Sequence, residues 1–189
     1  MKNNAQLAAA LQELRTDNSN KSKRGIHFIL ASVFIWLAVG IVHLSPLSIL
    51  TKNMLTFCCS APLVPMAYLF SKLLGVDFQN KGNPLTTLGI LFALNQMLYI
   101  LIAMWVYAAV PDKMVMVYAM IFGAHLLPYG WLYQSKTYYV LSIIIPIGVL
   151  IIGCNYPAVW IAAIMFFVEI IFCICLTLEN RKALTVKSI

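Results

Sequence analysis

The sequence predicts an all-α polytopic membrane protein, a six-helix transmembrane bundle with both termini in the cytoplasm. Three observations carry this. Of 189 residues, 62% are hydrophobic and 10% charged, whereas soluble domains carry about 25% charged residues. Six long apolar runs follow one another with brief polar connectors between them. Basic residues gather at every second connector, as the positive-inside rule requires.

Residues 1–25 read as a cytoplasmic N-terminal arm. Leu7, Leu11 and Leu14 fall at helical spacing and predict a short amphipathic helix, followed by a polar, flexible stretch from Thr16 to Lys23. The arm lacks the apolar region of a cleavable signal, so insertion is expected to begin with the first membrane segment. Lys21, Lys23 and Arg24 stand at the membrane edge, within reach of anionic lipid head groups.

The spans are placed at Ile26–Leu44, Met54–Leu74, Leu85–Val110, Met114–Tyr133, Thr137–Gly153 and Pro157–Leu178. Each approaches the roughly 20 residues that a bilayer needs. Together they make a transmembrane domain over 26–178, with a cytoplasmic tail over 179–189. The connectors are Ser45–Asn53, Gly75–Pro84, Pro111–Lys113, Gln134–Lys136 and Cys154–Tyr156. Loops this short force neighbouring helices to run antiparallel. With the N-terminus inside, eleven of the 13 basic residues fall on inner segments and only Lys52 and Lys113 on outer ones. An odd number of spans destroys that asymmetry.

The formal charge of +7 does not point to nucleic acid, because the charge sits in short clusters between apolar runs. The cysteines have no zinc spacing: Cys58 and Cys59 are adjacent, Cys173 and Cys175 are one residue apart, and Cys154 stands alone. They read as small fillers of helix interfaces. No Walker loop, GxGxxG, GxSxG, HExxH or TVGYG string is present. No cofactor or metal is therefore expected, and neither a primary pump nor a classical ion channel fits.

The informative residues are polar groups inside apolar runs, because ionisable side chains in lipid face the protein interior or a water-filled cavity. Glu169 lies mid-way along the sixth span, His125 mid-way along the fourth, and Asn95 and Gln96 together in the third. At 1.5 Å per residue, His125 is about 17 Å and Glu169 about 18 Å from the outer ends of their helices, and Asn95 about 15 Å from its inner end. All fall near one level of a core about 30 Å thick. Tyr118, His125 and Tyr129 share one face, and Asn95 and Tyr99 another. Pro128 leaves the carbonyl of Ala124 unpaired beside His125. Pro62 and Pro65 interrupt the second span and Pro146 the fifth.

The same residues have a structural reading. His125 and Glu169 can pair as a staple, and Asn95 and Gln96 can act as interhelical glue. His27 and His43, at the two ends of the first span, are read as interfacial and without catalytic role. The four tryptophans and many tyrosines suit interfacial belts and packing. Ala119 with Gly123, and Ala158 with Ala162, form small-xxx-small pairs that predict close helix contacts within the bundle or between protomers of a homo-oligomer.

Three functions compete. A small transporter or permease-like protein would use Asn95, Gln96, His125, Glu169, Tyr99, Tyr118 and Tyr129 as a ligand or proton pathway. It requires a cavity reaching mid-membrane. An accessory membrane protein (an immunity, sensor or assembly factor) would use His125 and Glu169 as a buried staple. An intramembrane lipid enzyme with His125 as base ranks last, since no nucleophile or metal set accompanies it. The partners expected are membrane lipids and a small solute or proton.

The segments GIHFILAS (25–32), NKGNPLTTLGILFALNQMLYILIAMWV (80–106) and VPDKMVMVYAMIFGAHLLPYGWLYQSK (110–136) carry a resemblance. They resemble a family of small bacterial multi-pass membrane proteins known only as a domain of unknown function. The resemblance covers most of 22–155. It implies a bacterial cytoplasmic membrane and transfers no functional residue.

Overall fold

The computed structural model describes residues 2–187. Met1 and the last two residues of the predicted tail lie outside the described residues. The helices are α1 (Lys2–Lys21), α2 (Ile26–Leu44), α3 (Ile49–Ser60), α4 (Leu63–Leu73), α5 (Leu85–Ala109), α6 (Met114–Tyr133), α7 (Lys136–Asn155) and α8 (Ala158–Lys187). Six stretches are long and apolar enough to cross a membrane, with α3 and α4 together forming one of them over Ile49–Leu73.

Both ends of the helical chain lie at one end of the bundle, here named the terminal end, because Arg24 meets Glu179 and Asn180 there. The main pairings are α6 on α7, α2 on α8, α5 on α6 and α2 on α4. In lipid these pairings rest on close packing more than on a hydrophobic drive. Gly123 lets α7 approach α6 so closely that a Cβ would stand 2.6 Å from Ile145 Cγ2. Ala162 touches the position where Gly40 would carry a Cβ, at 3.8 Å. The small pairs in α6 and α8 thus serve contacts inside the bundle. Trp36, Val39, Leu126, Met165 and Phe172 fill the core, while Leu94, Leu98, Ile147, Phe167 and Ile174 face outward as a bilayer requires.

Several elements depart from the sequence reading. The second span begins at Ile49, five residues before the predicted Met54, because Ser48 accepts from the Thr51 amide and caps the helix. The break predicted from Pro62 and Pro65 is present between Ser60 and Leu63. Pro65 falls in the first turn of α4, where its missing N–H is no loss. Pro146 does not interrupt its helix: α7 is continuous over Lys136–Asn155. Pro128 likewise sits inside a continuous α6. Packed neighbours hold such helices together despite the lost bond. Helix α8 continues past Leu178 to Lys187, so most of the predicted tail is helical.

The N-terminal arm differs most. Residues 16–21 belong to α1, and Ser19 ties them to the end of α6. Its inward side is polar: Asn18 and Ser19 are buried, whereas Leu7 and Leu11 are exposed. Arg15 donates to the Trp131 carbonyl at 2.5 and 3.0 Å and lies over the Trp131 ring. Ser19 donates to the Tyr133 carbonyl at 2.8 Å. The last carbonyls of α6, which have no partner within their own helix, are thereby satisfied.

A left-handed turn joins α1 to α2, with φ of 46° at Lys23, 55° at Arg24 and 70° at Gly25. L residues resist this region, so the turn needs outside support. Asn180 Nδ2 donates to the Lys23 carbonyl at 3.0 Å and Tyr138 Oη to the Arg24 carbonyl at 2.9 Å. Arg24 donates to Asn180 Oδ1 at 2.6 Å and pairs with Glu179 at 3.5 Å. Glu179 also accepts from the amide and hydroxyl of Thr137 at the start of α7, where a helix N-terminus favours negative charge.

Candidate functional site

A cavity of about 570 Å³ opens between α2, α4, α5 and α6. The pairing pattern explains it. Helix α4 packs on α2 and α5 packs on α6, but α4 and α5 share no extensive contact among the described residues. Counted along the helices, the cavity runs from Leu85 to Met97 on α5 and from Tyr133 to Phe122 on α6. That is about 16–18 Å of rise, half of a 30 Å bilayer core. The α3–α4 break closes its deep end through Leu63 and Val64.

Polar groups cover the shallow end. Asp17, near the end of α1, ties down the 75–84 loop. It accepts from Asn80 Nδ2 at 3.1 Å and Asn83 Nδ2 at 2.9 Å, and pairs with Lys21 at 2.8 Å. Lys21 first, then Asn83 and Asn80, hold the Asp17 carboxyl down from 3.8 to about 2. Asn83 also donates to the Leu14 carbonyl at 2.8 Å. The Asp77 carboxylate accepts from the amides of Gln79 and Asn80, which shapes the loop.

The residues singled out by sequence divide into four groups. Gln96, His125 and Tyr129 line the cavity. Tyr129 donates to the Gly89 carbonyl at 2.9 Å, tying α6 to α5. His125 packs against Phe122 and Tyr129, and its Nδ1 bonds the Phe122 carbonyl, not the Ala124 carbonyl freed by Pro128. Gln96 is half-buried at the wall. Asn95 and Tyr99 bond each other at 3.0 Å but lie on the exposed side of α5, away from the cavity. Tyr118 donates to Ser60 Oγ at 2.7 Å and braces the α3–α4 break.

Glu169 does not join His125. It is 0% exposed, and Ser32 of α2 is the partner of its Oε2 at 2.5 Å, while Oε1 has none. The expected His125–Glu169 staple is therefore not made. The helices reach the same level, but α8 turns Glu169 toward α2. Ser32 Oγ also lies 2.7 Å from the Ile29 carbonyl. A hydroxyl has one proton to donate, so both contacts are satisfied together when the Glu169 carboxyl supplies the second. Ser32 itself lines the cavity, which places this carboxyl one side chain behind the wall.

Sequence reasoning missed His27. Its place at a span end predicts an interfacial side chain, yet it is 2% exposed, lines the cavity and has no partner on either ring nitrogen. Its ring packs, tilted, against Phe28 and Phe78. His43 is buried as well, 3.1 Å from Thr56 Oγ1. The missing signal was the 75–84 loop, which folds back over the end of α2 and takes His27 out of the interface. The tryptophans are not one belt: Trp36 is core, Trp131 stacks under Arg15, and Trp105 and Trp160 are exposed.

At the opposite end a second pocket of about 350 Å³ is lined by His43, Lys52, Asp112, Lys113 and Asn155, among others. Between the two, along α2 and α8, stand Trp36, Val39, Ala162 and Met165, all buried. Among the described residues no three His, Cys, Asp or Glu side chains group as metal ligands. No curated protein and no solved structure matches the chain. A family model matches residues 11–179, taking in the last membrane helix that the sequence resemblance left out. The chain belongs to this family, whose description is Family of unknown function (DUF7010).

Proposed function

We propose that the chain is a permease-like membrane protein that passes a small, largely apolar solute, with the cavity between α2, α4, α5 and α6 as its solute site. One observation carries this reading: a cavity of about 570 Å³ extends from the terminal end to Gln96 and His125 near mid-bilayer. Its size is that of small-molecule sites, which are concave, mostly apolar and furnished with a few placed polar groups. Gln96, His125 and Tyr129 are those groups, and Asn95, Tyr99 and Tyr118 are not. The buried apolar plug of Trp36, Val39, Ala162 and Met165, with a second pocket beyond it, fits a carrier open at one end. The accessory alternative drew on a His125–Glu169 staple, and those side chains do not bond. The basic residues gather at the terminal end, which we place in the cytoplasm.

Directed thiol labelling tests this. Cys58, Cys59, Cys173 and Cys175 are replaced by alanine, exposed Cys154 is kept as an opposite-end control, and Gln96→Cys is introduced. In sealed vesicles of each orientation, a membrane-impermeant maleimide should reach Gln96→Cys from the terminal side and Cys154 from the other. A Gln96→Cys that stays unlabelled from both sides, while Cys154 reacts, overturns the reading.

A further inference from the structure

The cavity has the polarity profile of one membrane leaflet. Its shallow end is lined by Asn80, Asn83, Lys81 and His27, its depth mostly by apolar side chains such as Val64, Ile90, Met97 and Phe122, with Gln96 and His125 set among them. Its length of about 16–18 Å matches half of a 30 Å bilayer core. Its side opens toward lipid, since α4 and α5 do not close against each other. A polar head, an apolar depth and a lateral opening together suit an amphiphile that enters from the leaflet.

Two side chains at the shallow end lack partners. His27 is 2% exposed and neither ring nitrogen has a hydrogen bond. A buried polar group left so costs about 1–3 kcal/mol unless something else pairs with it. Lys81 is exposed at the mouth of the same cavity, and its ammonium makes no hydrogen bond or ion pair among the described residues, so it is free to meet a head group there. The neighbouring cations Lys21 and Lys23 are engaged, by Asp17 and by the Leu74 carbonyl. An unpaired N–H and an unpaired ammonium at head-group depth match an acidic group carrying two or more oxygens.

We infer that the cavity holds one single-chain anionic amphiphile, a fatty acid or lysophospholipid taken sideways from the leaflet at the terminal end between α4 and α5. Its acidic head sits by His27 and Lys81, and its acyl chain descends toward Gln96 and Phe122. The inference rests on the cavity being the working site, and it names the class of solute for that site. Carboxylate and phosphate heads share the recognising chemistry.

The full chain, purified in detergent, is titrated with three radiolabelled probes: palmitate, lysophosphatidylglycerol and the uncharged monopalmitoylglycerol. Palmitate or lysophosphatidylglycerol should bind near one per chain, and whichever binds tighter identifies the head. Lys81→Ala should weaken the acidic probe about tenfold, roughly 1.4 kcal/mol, and leave the uncharged probe unchanged. His27→Phe, which keeps a ring against Phe28 and Phe78, should weaken the acidic probe too. Ala93→Trp, which fills the cavity from α5, should abolish binding of all three.

No saturable binding of either acidic probe overturns the inference. So does binding that survives Ala93→Trp, or a Lys81→Ala loss equal for charged and uncharged probes. Binding by a chain whose Gln96→Cys fails the labelling test keeps this site and removes transport. Labelling without binding removes this inference alone.

Discussion

The close approach of α7 to α6 at Gly123 makes the sharpest prediction, because the atoms it meets are rigid. At Gly123 an added Cβ would stand 2.6 Å from Ile145 Cγ2, 2.7 Å from Pro146 Cδ and 2.8 Å from Ile145 Cβ. Carbon atoms in contact prefer about 3.5–4.0 Å, so α7 must retreat by about 1 Å. None of the three atoms is the far end of a flexible chain. Ile145 is branched at Cβ and Pro146 is a ring, so neither yields by changing rotamer. Overpacking of this kind costs about 1–3 kcal/mol, and Gly123→Ala should fall in the upper half of that range. On the scale of soluble chains of this length, the shift in Tm is about 4–12 °C downward. Gly148, in the partner helix, is the control: a Cβ there meets nothing within 4 Å. Gly148→Ala should hold or raise Tm, since alanine is the better helix former by about 1 kcal/mol. Thermal melting of both variants followed by fluorescence-detected size exclusion in one detergent makes the comparison. A Gly123→Ala protein melting at or above the wild type refutes the steric argument and with it the α6–α7 packing that positions His125.

Three further outcomes follow from the site. Glu169→Gln keeps a neutral donor for Ser32 and should melt within about 1 kcal/mol of wild type, whereas Glu169→Ala, which opens a void, should lose about 2–4 kcal/mol; equal losses would refute the proton count at Ser32. Asp17→Asn should loosen the hold of α1 on the 75–84 loop, seen as faster amide exchange over 76–83 at neutral pH. Because the folded-state Asp17 value is depressed from 3.8 to about 2, its contribution is complete above the unfolded value and is lost as pH falls from about 4 toward 2; a loop whose exchange is the same in Asp17→Asn refutes the tether. Gly25→Ala combines a φ of 70° with a Cβ 3.1 Å from Tyr133, so it should cost about 1–2 kcal/mol or more; a Tm equal to wild type counts against the left-handed turn.

The sequence made the spans legible because apolar runs and short connectors are local signals. The α3–α4 break was legible for the same reason, through Pro62 and Pro65. What it did not reveal depends on how helices are rotated about their axes. Asn95 and Gln96 are adjacent and equally deep, yet one faces outward and the other lines the cavity. A helix turns 100° per residue, so depth alone does not decide which neighbour a side chain meets. Depth put Glu169 level with His125, and rotation gave it to Ser32. His27 was missed because its burial depends on Phe78, about fifty residues away, folding over it. The docking of α1 was hidden because its buried side is polar and its leucines face out, the reverse of the usual pattern.

The turn over Lys23–Gly25 has a consequence for biosynthesis. Its supports come from the last two helices, Tyr138 of α7 and Asn180 of α8, and Arg24 finds Asn180 across 156 residues of chain. Ribosomes add about 5–20 residues per second, so the first membrane helix waits about 10–30 s for the groups that fix its entry. During that interval the Arg24 guanidinium lacks its folded-state partners, Asn180 and Glu179, while the partner of Lys23, the Leu74 carbonyl, has long been made. The bundle is thus latched late at the place where it was begun, and a ribosome stalled before Glu179 leaves Arg24 without Glu179 and Asn180.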